Sequence, residues 1–164
     1  RNSKLISRNN MKLKVEVKET EEGFYGTFAK EDFKEGQVVH TLTGDWLHKP
    51  TKATIQFGEK HLDSAIGGFI NHSCKPNCTI LIQLKDMSFI EQYVPAYVGI
   101  KGTLTSMIIS NPRPVIVANQ PIFTGQEITF DYNTTEDIMA EPFECLCGST
   151  DCKGTIGGKY YGIR

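Results

Sequence analysis

Apolar and polar residues alternate over short runs along most of this chain. In KLKVEVK, residues 12–18, Leu13, Val15 and Val17 share one face and charged residues occupy the other, the period-two pattern of a half-buried strand. VVHTLTG (38–44), TILIQLK (79–85), PVIVAN (114–119) and QEITFDY (126–132) are short, rich in β-branched residues and bounded by Gly, Pro or Asn. Each predicts a strand. No segment carries a long apolar period of 3.6 residues. Two short helices are expected, one over DMSFIEQYV (86–94), stopped by Pro95, and one over GEKHLDSAI (58–66). FTGQE (123–127) reads as a turn feeding a strand, and TTEDIMAEPFE (134–144) as a polar linker into a cysteine-bearing tail. The expected fold is mainly β, with several small sheets, many turns and few short helices.

Composition narrows the class. A chain of 164 residues suits one domain with a small appendage. Its 39% hydrophobic content and nine Phe can build a core without help from disulfides or metal. Lys+Arg number 18 against Asp+Glu 19, a net charge of −1, which provides no electrostatic footprint for nucleic acid or an anionic membrane. No apolar run is long enough to span a bilayer, and no basic-then-apolar leader opens the chain. Neither a membrane nor sequence-specific nucleic acid is therefore expected as a partner.

The five cysteines change the picture. An odd count, without a leader, argues against a disulfide framework. ECLCGSTDCKG (144–154) spaces Cys145, Cys147 and Cys152 as C-x-C-x4-C. Zinc takes four tetrahedral ligands and favours thiolates. The tail offers three, and Cys74 is the leading candidate for the fourth. One Zn2+ held this way would join the loop around Cys74 to the tail. The bland alternative is a set of thiols without a common role. Cys78 opens the strand CTILIQL and reads as a buried apolar thiol. GGFINHSCKPNCTI (67–80) clusters Asn71, His72, Ser73 and Cys74. Taken alone it could be a metal site, a nucleophile site or a turn. His40, His48 and His61 have no motif around them and read as core or surface residues.

Four segments stand in a telling order: GFYGTFAKEDFKEGQVV (23–39), FINHSCKPN (69–77), GQEITFDYN (125–133) and CLCGSTDC (145–152). Together they make the chain, over about residues 12–155, resemble a SET-domain protein lysine methyltransferase with a zinc-binding post-SET tail. The resemblance implies a β-clip-like SET fold with a C-terminal pseudoknot, in which the chain end threads beneath the loop around Asn71–Cys74. It divides the chain into an N-terminal extension (1–11), a SET domain (12–136, with an insertion about 85–113) and a post-SET tail (137–164). It implies methyl transfer from S-adenosylmethionine to a lysine amine, with Tyr132 and Phe130 as the catalytic pair. Phe130 stands at the family's Phe/Tyr switch, which implies room for di- or trimethylation. Phe24, Tyr25, Gly26, Phe69, Asn71, His72 and Leu146 become the cofactor residues, and Cys74, Cys145, Cys147 and Cys152 the zinc ligands. The implied substrate is a lysine-containing protein or peptide, a histone tail by family habit, bound as an added β-strand. The implied setting is a reducing intracellular one, and the nucleus for a histone-directed eukaryotic protein.

The chain also departs from the family pattern. Phe24 replaces the first Gly of the Gly-aromatic-Gly loop, and Gly68 stands where a basic residue often precedes the Asn-His pair. Leu42 replaces a tyrosine that commonly lines the lysine channel. Tyr93 or Tyr97 of the insertion could restore that hydroxyl. Two other readings stay open: a SET-like module that binds a partner without turnover, and a structural β domain stapled by zinc.

Overall fold

The computed structural model describes residues 12–83, 93–95 and 113–163. Val15 starts the first strand with its side chain buried, while Leu13 lies before it and is exposed. Strand β1 (Val15–Glu21) turns at Glu22-Gly23 into β2 (Phe24–Ala29), and the two pair antiparallel. Next come β3 (Val38–Thr41), β4 (Asp45–Leu47), β5 (Thr54–Phe57), β6 (Lys60–Asp63), β7 (Asn71–His72) and β8 (Cys78–Gln83). After them follow β9 (Tyr93–Pro95), β10 (Arg113–Ala118), β11 (Thr129–Phe130), β12 (Phe143–Glu144) and β13 (Thr155–Ile156). The described helical structure consists of two single 3-10 turns, Gly67–Phe69 and Tyr132–Thr134. The mainly β expectation of several small sheets therefore holds.

A four-stranded sheet runs in the order β3-β10-β8-β9. β10 lies between β3 and β8, and its Val115, Ile116, Val117 and Ala118 are all buried, as befits a strand flanked on both edges and covered on its faces. A three-stranded sheet, β4-β6-β5, packs into the same apolar cluster through Ile55 and Leu62. That cluster also takes Val39, Leu42, Ile70, Ile80, Ile116, Ile122, Ile128 and Phe130.

The helix expected over 58–66 is not formed. Lys60–Asp63 is strand β6 of a hairpin in which Phe57 faces Lys60. The physical reason is the two-residue turn Gly58-Glu59, where Gly58 takes φ +68°. Gly at the first position of such a turn suits the twist of a hairpin. His61 and Leu62 are buried while Lys60 and Asp63 point out. The other expected helix, over 86–94, lies largely outside the described residues; its end at Tyr93 and Val94 belongs to β9, paired with Gln83 and Ile82. Tyr97 with residues 85–92 and 96–112 of the insertion, and the 1–11 extension, also lie outside them. No helix among the described residues is long and apolar enough to cross a membrane.

β11 meets the loop 71–78 through few contacts. β11 pairs in parallel with β7, matching Thr129 to Asn71 and Phe130 to His72. The Ser73 N–H donates to the Phe130 carbonyl at 3.1 Å. The Asn77 side chain donates to the Glu127 carbonyl at 2.8 Å and accepts from the Thr129 N–H at 3.0 Å. The late strand is thus held on both sides by the loop 71–78.

Close approach of backbones fixes the smaller sheet. A Cβ on Gly44 would overlap the backbone carbonyl of Asp63. Gly44→Ala is expected to push β4 from β6 and cost about 3 kcal/mol, measured as a lower urea midpoint with an unchanged m-value.

Candidate active site

Strand alternation turns Asn71 outward and His72 inward. The His72 side chain is 1% exposed. The Tyr132 N–H donates to His72 Nδ1 at 3.1 Å, so the ring proton sits on Nε2, which lies 3.2 Å from Cys74 Sγ. Burial lowers the pKa of His72, opposed by Asp131 and reinforced by Lys153. A neutral ring is the consequence. Asp131 finds its charge partner in Lys153, with Nζ 2.5 Å from Oδ2. The Lys153 N–H also donates to Cys74 Sγ at 3.3 Å. One continuous set of bonds therefore runs from the Tyr132 backbone through His72 and Cys74 into the cysteine tail.

Tyr132 follows in the 3-10 turn after β11. Its hydroxyl donates to the Ile70 carbonyl at 2.7 Å. Its ring lies 4.8 Å from Phe130, 5.3 Å from His72 and 6.0 Å from Phe143, centroid to centroid. Burial pushes the phenol pKa well above its ordinary value, and the nearby Glu136 and Glu127 carboxylates add to the effect. The hydroxyl thus keeps its proton and offers its lone pairs away from Ile70. Phe130 is fully buried in the core.

A second group forms along the outer edge. The Asn71 amide donates to the Tyr25 carbonyl at 3.0 Å and to Glu127 Oε1 at 2.6 Å. Tyr25 and Phe69 stack edge to face at 5.7 Å. A Cβ on Gly26 would come 2.6 Å from Glu127 Oε1, so a larger residue would displace that carboxylate. Phe24, Tyr25 and Phe69 are 68%, 44% and 42% exposed, an uncovered aromatic rim beside polar atoms. Leu146 is 94% exposed and has no packing of its own. Glu127 went unnoticed in the sequence. Its signal was alternation: in QEITFDY the neighbour Ile128 is buried, which puts Glu127 on the opposite face.

The thiols form the third group. The sulfurs of Cys74, Cys145, Cys147 and Cys152 all lie within 4.8 Å of one another, with Cys74 and Cys145 at 3.8 Å. The tail is pinned locally by the Cys145 N–H to the Gly154 carbonyl at 2.8 Å. Cys78 stands apart, buried at the start of β8 opposite Ala118 of β10, and burial pushes its thiol up to about 12. His61 is buried in β6 and His40 lies in β3; neither joins the thiols.

The SET domain family profile matches residues 24–133. This chain belongs to the SET-domain family. It is 31% identical, over 82% of its length, to histone-lysine N-methyltransferase ASHH2 of Arabidopsis thaliana. It is 29% identical, over 93% of its length, to the H3 lysine-36-specific histone-lysine N-methyltransferase of Candida albicans. The chain spans only 7% and 18% of those two relatives. Among solved structures, Arabidopsis thaliana SUVH6 in complex with SAM shares the fold, with a TM-score of 0.61 and 19% identity over 88% of this chain and 33% of that one.

One buried acid belongs to the same region. Glu136 is 6% exposed, and burial pushes its carboxyl up to about 7, against hydrogen bonds from Gln56 and Thr135 that lower it. From pH 4.5 to about 7 the unfolded chain releases this proton while the folded chain keeps it, so its contribution to stability falls as pH rises across that window. Glu136→Gln removes the dependence. Unfolding in urea is expected to show the variant more stable than the parent at pH 8 by about 1–3 kcal/mol, with the difference gone or reversed at pH 4.5.

Proposed function

We propose that this chain is an S-adenosylmethionine-dependent protein lysine methyltransferase acting on histone tails. The observation that carries the reading is the Tyr132 hydroxyl, anchored on Ile70 at 2.7 Å within an aromatic wall of His72, Phe130 and Phe143. The names of the Arabidopsis and Candida relatives, both histone-lysine N-methyltransferases, support it.

S-adenosylmethionine, when bound, supplies an electrophilic methyl group on a sulfonium. The residues that would hold it are the exposed rim of Phe24, Tyr25 and Phe69, with Gly26, Asn71, His72 and Leu146. The polar atoms and uncovered rings of that rim suit a ligand with charged and aromatic ends. Tyr132, with its proton committed to Ile70, directs lone pairs that can orient a lysine amine. A lysine entering beside buried aromatic rings loses its proton more readily than at its ordinary pKa of about 10.4. Phe130 brings no hydroxyl, which leaves space for a second and third methyl group. The work is positioning and exclusion of water, so no protein nucleophile is needed.

The cysteine group suits one Zn2+. Sulfurs bound at about 2.3 Å in a tetrahedron lie roughly 3.8 Å apart, and Cys74 and Cys145 have that separation. A Zn2+ held there would join the post-SET tail, 137–164, to the SET domain, 12–136, at Cys74. The histone tail would enter as an extended peptide, and a histone substrate would imply a nuclear setting.

A competing reading, a partner-binding module without turnover, draws on Leu42 and Gly68. Transfer assays on histones and a lysine peptide array, read by mass, separate the two. Methyl transfer is expected, and Tyr132→Phe is expected to lower kcat by about a hundredfold or more. Partner binding that is insensitive to Tyr132→Phe, with no transfer to any substrate, would establish the module instead. Metal analysis is expected to return one zinc per chain. Cys145→Ser is expected to release it and to increase proteolysis of the tail; an ordered tail in metal-free protein would overturn the zinc assignment.

A further inference from the structure

Residues 134–137 read in sequence as the start of a polar linker, yet the structure buries Glu136. Its N–H donates to the Tyr132 carbonyl at 2.9 Å, closing the turn that carries the site tyrosine. Its Oε1 accepts from the Gln56 N–H of β5 at 2.8 Å and from the Thr135 hydroxyl at 3.1 Å. The Gln56 side chain returns the contact, accepting from the Asp137 N–H at 2.8 Å and donating to Asp137 Oδ2 at 3.0 Å. The Lys159 N–H donates to the Glu136 carbonyl at 2.8 Å. Three elements thus converge on one residue: β5 on its side chain, and the Tyr132 turn and the segment around Lys159 on its backbone.

Packing alone does not call for an acid here. A glutamine has the same shape, and its amide oxygen would accept the same two bonds without the cost of burying a charge. What the carboxyl adds is an ionisable group, one turn on from Tyr132, whose charge the phenol senses. The other charged or titratable groups around it are Asp137 on its own segment, Lys159 paired to Asp137 at 3.1 Å, and His61 of β6, which feels Asp137. Glu127 is the second carboxylate that Tyr132 senses.

We propose that Glu136 is an electrostatic positioning residue of the methyl-transfer site, fixing the Tyr132 turn against β5 and setting the charge that an acceptor lysine meets beside Tyr132. This rests on the lysine methyltransferase reading. In the transfer, the amine nitrogen bonds to the methyl carbon as the sulfur–carbon bond breaks, and the ammonium proton must first leave to water. An ionised Glu136 favours the ammonium and delays that loss. A neutral one favours the free amine.

The test compares the full chain with Glu136→Gln. The rising limb of the kcat–pH profile is expected to move to lower pH in the variant, by about half a unit or more. A purely structural role would scale kcat without moving the limb, and an unmoved limb overturns the proposal. Independently of turnover, 13C labelling of tyrosine, assigned with Tyr132→Phe, follows the Tyr132 ring carbon bonded to oxygen. It is expected to show a step near pH 7 in the parent, tracking the 13C titration of the Glu136 carboxyl, and no step in Glu136→Gln. A flat Tyr132 signal in the parent overturns the proposal, and does so even where the variant fails to fold. If neither protein transfers methyl to any histone or lysine peptide, the functional reading fails, while the tyrosine signal still decides whether Glu136 governs Tyr132.

Discussion

Everything chemical in this molecule depends on a parallel pair of two-residue strands. β7 and β11 match Asn71 to Thr129 and Phe130 to His72. So short a pair has no stability of its own, and closing a loop of such length costs chain entropy. It persists because its neighbours over-determine it. Ile70, Ile128 and Phe130 are buried on one side. On the other, the Asn77 amide takes the place of a further strand by bonding both the Glu127 carbonyl and the Thr129 N–H. Buried backbone groups must be paired, and Asn77 does for this segment what no local partner could.

His72 converts that pairing into a site. Its neutral ring accepts from the Tyr132 backbone and turns Nε2 to Cys74. Lys153 closes a second route, its N–H on Cys74 and its ammonium on Asp131. Asp131 and Tyr132 are adjacent, so both routes end on the same turn. The tail is thereby coupled to the aromatic wall by charge and hydrogen bonding as well as by the thiols. Disturbance of the cysteine group would be felt at Tyr132, because the bonds between them are continuous.

Much of the fold was legible because its signals are local. Period-two alternation marked β1, and short β-branched runs bounded by Gly, Pro or Asn marked β3, β8 and β10. The four motifs could be read in order because each is contiguous. What escaped was either a turn or a distant partner. GEKHLDSAI looked helical only because the turn-forming role of Gly58-Glu59 was overlooked. Glu136 looked like linker because its partner, Gln56, lies 80 residues earlier. Glu127 lies inside a contiguous motif, but its partner Asn71 stands 56 residues earlier. His72 was identified, but its side chain serves Cys74 and Tyr132, a role that no linear spacing reveals.

The departures at Leu42 and Gly68 belong, with Gly67, to a single packing solution. A Cβ on Gly68 would come 2.9 Å from the Ala53 carbonyl, so the 3-10 turn lies against the backbone leading into β5 and leaves no space for a basic side chain. A Cβ on Gly67 would meet Ile55 Cδ1 and Leu42 Cδ2, both at 3.0 Å. Leu42 is 3% exposed, and its methyl groups fill the space beneath the turn. Interiors at crystal-like density do not absorb such changes one at a time. A tyrosine at 42 would need the turn to lift, and a basic residue at 68 would need β5 to recede. Two departures that look like separate losses in the sequence are one consequence of seating the Gly67–Phe69 turn close against β5, the strand that also holds Glu136.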